Sequence, residues 1–326
     1  MTRPTARFQV LREPFGAESG FRLTDTRTGE YALVLPFAGG AINRLALRSG
    51  NKLVEILDGY ASTRDMQKTL ATSFKGCSLF PFPNRVSGGT YSFDSKRYQL
   101  IKNFPQEDNA IHGLVFDKTF ELVQHRHGEQ ECHLKLGYSP LCCDPGYPFS
   151  YRLDYEYRLS ADEGFSCTTG ITNKSDTAIP VGLGWHPYFS LEASSINELL
   201  LHFPAKELIE VDSRKIPTGR SRDGDDFGQP KLLGSTVLDS CFRLDCSGKQ
   251  AEIRLSNRQN KMSLVIWMET GAEKYNFLQL YTPPARRSIA IEPMSCAPDA
   301  FNSGDGLIRL LPGRSIVMAW GVSPPR

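Results

Sequence analysis

The chain lacks an excess of charge of either sign. Across 326 residues, 38 Lys and Arg face 36 Asp and Glu, a formal net charge of +2. No basic surplus exists to neutralise a row of phosphates, which argues against a nucleic-acid partner. It also lacks any apolar run near the ~20 residues of a membrane-spanning helix. Met1 to Gly16 carries Arg3, Arg7 and Arg12 and no apolar targeting core, so a soluble, cytoplasmic protein is expected. Among the eight cysteines no C-x-x-C spacing occurs, and Cys142 and Cys143 are adjacent, so reduced thiols are expected rather than disulfides or a metal site. Four further signatures are missing: the G-x-S-x-G elbow, H-E-x-x-H, the phosphate-binding G-x-x-x-x-G-K-[ST] and the dinucleotide-binding G-x-G-x-x-G.

What is plentiful is punctuation. The chain has 28 Gly and 21 Pro, about 15% against the roughly 12% of average usage, a surplus that favours many short strands. From Phe149 to Leu159 the odd positions are apolar or aromatic and the even ones polar, the alternation of a half-buried antiparallel strand. Shorter runs of this kind occur at 31–35, 91–98, 132–136, 252–255, 262–268, 277–281 and 315–320. Turn signals separate them, at Ser87-Gly88-Gly89, Asp144-Pro145-Gly146, Pro217-Thr218-Gly219, Pro283-Pro284 and Pro312-Gly313. The best helical stretch is short, from Thr63 to Thr72, and Asp223–Gly228 is the most linker-like segment. The pattern predicts one all-β domain over residues 1–326, a large antiparallel β-sandwich.

Only six histidines are present. His125 and His127 sit in the polar run Gln124-His125-Arg126-His127-Gly128-Glu129, which reads as a solvated loop, and His202 reads as a strand histidine. His186 lies in Gly184-Trp185-His186-Pro187-Tyr188-Phe189, where Pro187 restrains its predecessor to extended backbone and the aromatics could form an apolar wall for a sugar. His112 precedes Gly113, which permits close backbone approach. Asn84 and Arg85 end the proline-stiffened run Phe80-Pro81-Phe82-Pro83 with an amide and a guanidinium able to fork onto hydroxyls or a carboxylate. Glu292 ends the apolar run Ser288-Ile289-Ala290-Ile291, and Asp239 has the same strand-end character; either could pair with an arginine.

In order along the chain, six segments resemble the aldose 1-epimerase (mutarotase) family. They are Pro83-Asn84-Arg85-Val86-Ser87-Gly88-Gly89; Ile111-His112-Gly113-Leu114; Gly184-Trp185-His186-Pro187-Tyr188-Phe189; Ile216-Pro217-Thr218-Gly219; Leu238-Asp239; and Glu292-Pro293-Met294 followed by Pro298-Asp299-Ala300-Phe301-Asn302. The resemblance implies a galactose mutarotase-like β-sandwich that interconverts sugar anomers without metal, nucleotide or other cofactor, as a monomer or homodimer. It implies Glu292 as general base, His186 as general acid, His112 at the ring oxygen, and Arg85, Asn84 and Asp239 on hydroxyls. Pro293-Met294 after Glu292 departs from the galactose-type pattern, which has a Gln shortly after the Glu; Phe80-Pro81-Phe82-Pro83 replaces its usual Gly-Arg-Tyr-Ala.

Opening a pyranose requires a proton taken from the C1 hydroxyl and one delivered to the ring oxygen. Reference values near ~4.3 for Glu and ~6.5 for His would leave the first ionised and the second partly protonated at neutral pH. Two alternatives stand beside this reading. A hexose 6-phosphate epimerase would need further cations, for which Arg286 and Arg287 are candidates; a non-catalytic carbohydrate-binding protein would be expected to lose the acid or the base.

Overall fold

The computed structural model describes residues 6–324. Its alternating segments pair antiparallel throughout. A nine-stranded sheet runs from Glu121–Arg126 at one edge to Lys231–Leu232 at the other, with Ser315–Ser323 between Gly164–Asn173 and Ser263–Glu269. An eight-stranded sheet begins at Pro217–Asp223 and passes through Ala205–Val211, Asp239–Leu244, Phe277–Tyr281 and Ile289–Met294 to Gly184–Trp185 and Ser78–Leu79. Five N-terminal strands from Phe8–Phe15 to Lys52–Glu55 form a third sheet. One apolar cluster joins all three, with Val34 and Leu45 from the N-terminal sheet, Ile253 and Ile266 from the nine-stranded sheet, and Leu280 and Ile291 from the eight-stranded one. The fold is an all-β antiparallel sandwich, as expected.

Strand Tyr151–Ser160 repeats the alternation of its sequence, its odd positions buried and its even ones half-buried until both faces close at Ser160. The expected helix forms over Thr63–Ser73; Ser62 caps it by accepting a hydrogen bond from the Asp65 N–H, satisfying one of the otherwise orphaned first-turn donors. No helix among the described residues is long and apolar enough to cross a membrane. All eight cysteines are free thiols.

Four local readings need correction. The run 91–98 is two strands, Thr90–Phe93 and Lys96–Gln99, because Asp94 (φ 48°) and Ser95 (φ 61°) form a left-handed two-residue turn between them; Tyr91 pairs with Tyr98, so the face it occupies passes from odd to even positions across the turn. Pro217-Thr218-Gly219 opens a strand, and the turn lies one step earlier, where Asp212 Oδ1 accepts from the N–H groups of Arg214 and Ile216. The linker-like segment contains a short 3-10 turn at Asp225–Phe227, and Phe227 is buried against Phe203 with ring centroids 5.1 Å apart. His125 lies on the exposed edge strand Glu121–Arg126 rather than in a loop, its Nδ1 3.1 Å from Nε2 of His127; an edge strand needs no apolar face, so its composition mimics a loop. His202 ends strand Leu199–His202.

Candidate active site

Register brings the central residues together. Strand Ile289–Met294 pairs with Gly184–Trp185 through Gly184 opposite Met294, and with Tyr188–Phe189 through Tyr188 opposite Ala290. The interruption at His186-Pro187, where proline has no donor to give the ladder, therefore lies directly across from Glu292. On the other flank Gln279 is the register partner of Glu292. Three polar side chains thus sit side by side on one sheet face, while Ile291 turns into the core.

Loops complete the site. Asn84 and His112 both adopt left-handed backbone, φ 59° and 61°. Their main chains are tied by the His112 N–H donating to the Asn84 carbonyl at 2.9 Å, and the Asn84 N–H donates to His112 Nδ1 at 3.2 Å. A Cβ at Gly113 would lie 2.1 Å from the Phe80 carbonyl oxygen, so only glycine allows this loop to close against the proline-stiffened segment. Phe74, the left-handed residue ending the Thr63–Ser73 helix, lays its ring 4.7 Å from that of His112.

All six residues singled out from the sequence, Asn84, Arg85, His112, His186, Asp239 and Glu292, line one cavity of about 210 Å³. His186 Nε2 stands 3.4 Å from Glu292 Oε1, and both side chains are almost wholly buried. Glu292 Oε2 and His186 Nδ1 are buried without a hydrogen-bond partner within the protein. The His186 ring stacks on Tyr188 at 4.9 Å. Of the aromatics expected to form a wall, only Tyr188 does so. Trp185 and Phe189 point the other way into the core, since neighbouring strand positions face opposite sides.

Asp239 opens strand Asp239–Leu244 and meets arginine as expected: Arg85 Nη2 is 3.7 Å from its Oδ2, and Lys215 Nζ 3.3 Å. Its Oδ1 accepts a hydrogen bond from Gln279 Nε2 at 2.9 Å. Arg85 is buried, donating from Nη1 to Asn84 Oδ1 and pairing as a fork with Glu107. The two arginines proposed for a phosphate are elsewhere. Arg286 is consumed by Asn197 Oδ1 and the carbonyls of Thr236 and Gly234, Arg287 is exposed, and neither lines the cavity.

Burial works against the expected protonation states. It pushes the Glu292 carboxyl well above its usual value, with Asp239 adding repulsion that Arg85 partly offsets. Burial also brings His186 down to about 3. His112 is held well below its usual value by burial, then by His186 and Arg85. Burial therefore disfavours the carboxylate of Glu292 and the imidazolium forms of His186 and His112, because a low-dielectric site disfavours every isolated charge.

The tautomer of His112 follows. Nδ1 accepts from the Asn84 N–H, so the ring proton is on Nε2, leaving a donor to face the cavity. His112, His186 and Glu292 offer ligand atoms within 4.8 Å of one another, a spacing that a metal ion could bridge. With Nε2 of His112 protonated, only two of the three retain a lone pair there, a poor fit to the three protein ligands of a typical catalytic zinc site.

Gln279, Glu107 and Phe74 were not singled out from the sequence. Gln279 had a signal: it is the polar centre of Phe277-Leu278-Gln279-Leu280-Tyr281, an otherwise apolar buried strand.

Comparison with known proteins agrees with this geometry. The sequence model of the Aldose 1-epimerase family matches residues 22–319. An uncharacterised Escherichia coli K12 protein, YihR, is 30% identical over 244 residues, covering 73% of this chain and 75% of that protein. The aldose 1-epimerase of the same organism is 28% identical, covering 72% of each chain. Among solved structures, a galactose mutarotase-like protein from Clostridium acetobutylicum superposes with a TM-score of 0.84 at 21% identity, covering 97% of this chain and 98% of that one. Sheet order, cavity and sequence match converge: the chain belongs to the aldose 1-epimerase family.

Proposed function

We propose that this protein interconverts the α and β anomers of an unphosphorylated aldohexose by acid–base ring opening and closure. The observation carrying the proposal is the buried His186–Glu292 pair, 3.4 Å apart, both residues lining one cavity of about 210 Å³. A non-catalytic sugar-binding protein has no need of two such facing titratable groups.

Glu292–COOH with neutral His186 holds the same number of protons as carboxylate with imidazolium, and one transfer across the pair interconverts the two. In the second state Glu292 takes the proton from the C1 hydroxyl while His186 delivers its proton to the ring oxygen. The C1–O5 bond breaks, C1 becomes a carbonyl, and Glu292–COOH with neutral His186 remains. Rotation about C1–C2 followed by the reverse transfers gives the other anomer, with no net gain or loss of protons. His112 Nε2–H supports the ring oxygen; Arg85, Asn84, Asp239 and Gln279 hold the remaining hydroxyls. The open-chain stage coincides with the protonation state that burial favours, so the site stabilises the high-energy intermediate relative to the closed ring.

On this reading one domain of residues 1–326 carries the whole reaction on a small free sugar in the cytoplasm, as monomer or homodimer, with no cofactor. Polarimetry of freshly dissolved α-D-glucose and α-D-galactose tests it: the enzyme hastens anomeric equilibrium, and Glu292→Gln slows turnover by at least ~10², the low end for one positioned proton transfer. If neither sugar equilibrates faster than in buffer, the proposal fails.

A further inference from the structure

Arg85 is the only Lys or Arg among the described residues lining the sugar cavity, and it is not free. A guanidinium has five N–H donors. Nε and Nη2 fork onto the two carboxylate oxygens of Glu107, and Nη1 donates to Asn84 Oδ1 at 3.1 Å. Nη2 also lies 3.7 Å from Asp239 Oδ2, which Lys215 approaches at 3.3 Å. Two cations and two carboxylates therefore cancel around the rim. What is left of Arg85 is a pair of donors suited to hydroxyls, without the positive field an anion needs.

Glu107 is held in this position from behind. It ends the 3-10 turn Pro105–Glu107. Arg214, at the tip of the neighbouring hairpin, donates from Nε to the Glu107 carbonyl and from Nη2 to the Asp108 carbonyl and Asn109 Oδ1, each at 3.0 Å. Asn109 Nδ2 returns a hydrogen bond to the Arg214 carbonyl at 3.0 Å. Such a latch is unnecessary for a stray surface carboxylate.

We propose that Glu107 is a specificity-determining residue: its carboxylate closes Arg85 to anionic substituents and so restricts the cavity to neutral sugars. This rests on the sugar site proposed above and adds to it the residue that sets its charge selectivity. An anion entering beside Arg85 meets Glu107 and Asp239, and must displace the first or suffer repulsion from both.

The test compares the unsubstituted protein with Glu107→Gln and Glu107→Asp on glucose, glucose 6-phosphate and glucose 3-phosphate, the two anions projecting from different parts of the ring. Turnover is read by polarimetry and binding by titration calorimetry. The unsubstituted protein prefers glucose. Glu107→Gln raises the ratio of phosphorylated to free sugar at least about tenfold for one of the two esters, a conservative figure for removing one half-buried charge, and the gain shrinks as salt is added. Glu107→Asp keeps the charge and leaves the ratio near its starting value, whereas a merely structural role lowers all three sugars together in both variants. A phosphate ester used as well as glucose by the unsubstituted protein overturns the proposal, as does an unchanged ratio in Glu107→Gln. Calorimetry scores the ratio without turnover, so failure to anomerise any sugar would count against the enzymatic reading and leave this proposal tested.

Discussion

Replacing Glu292 by Gln should make the protein progressively more stable than its parent as pH rises. Burial raises the Glu292 carboxyl well above its ordinary value of 4.5. Above that value the unfolded chain releases this proton while the folded chain keeps it, so the folded state binds more protons and stability falls with pH. The raised group thus contributes stability present below about 4.5 and lost as pH climbs toward its folded value. Each pH unit in that window is worth about 1.4 kcal/mol. For 326 residues the entropy of unfolding is about 0.7 kcal/mol per K, from ~2.1 cal/mol/K per residue. The Tm of Glu292→Gln minus that of the parent should therefore grow by about 2 °C per pH unit from pH 5 upward, levelling where the native carboxyl ionises. His186 works in the opposite direction: its ordinary value of 6.5 falls to about 3, so its contribution is present above 6.5 and lost as pH falls. It is common to both proteins and largely cancels in the difference. Scanning calorimetry from pH 5 to 9 at fixed ionic strength measures this. Parallel Tm curves would mean that Glu292 titrates normally, and the assigned protonation states would be wrong.

Because the His186–Glu292 pair must hold one proton to react, the same burial predicts that kcat/KM falls as rising pH removes that proton from the free enzyme; a rate that climbs throughout would remove the pair from the proposed roles. His186→Asn should slow anomerisation by at least ~10² while sugar binding measured by calorimetry persists; a near-normal rate would assign the acid elsewhere. Ser95→Gly should raise stability by up to about 1 kcal/mol by relieving left-handed strain, and Ser95→Ala should not. Equal melting temperatures for these two variants would refute that account of the hairpin.

Much of the site was legible because its residues sit in locally unusual sequence. Asn84 and Arg85 follow two prolines, His112 precedes an obligatory glycine, and Glu292 and Asp239 are acids in apolar surroundings. Gln279 was harder to see because its importance comes from register: nothing local says that it stands opposite Glu292. Glu107 and Phe74 arrive from a short turn and a helix end whose positions depend on the whole fold. Protonation was the least legible property. Reference values describe solvated groups, and the sheet and loops that exclude water from Glu292 and His186 are assembled from segments more than a hundred residues apart. The run 91–98 misled for a related reason: Tyr91 and Tyr98 share a face only because a two-residue turn lies between them, and that pairing is set by register rather than by the local pattern.

The division of labour between strands and loops has a consequence for how this scaffold can change. His186, Glu292 and Gln279 are fixed by strand pairing, where a slip of one residue would turn each side chain to the opposite face. Glu107, Phe74 and Lys215 are delivered by a turn, a helix end and a hairpin tip, which tolerate exchange and length variation. New sugar preferences are therefore reachable by grafting rim segments, one at a time, without disturbing the proton-transfer pair. Insertions within the three central strands would abolish the chemistry before they altered its selectivity.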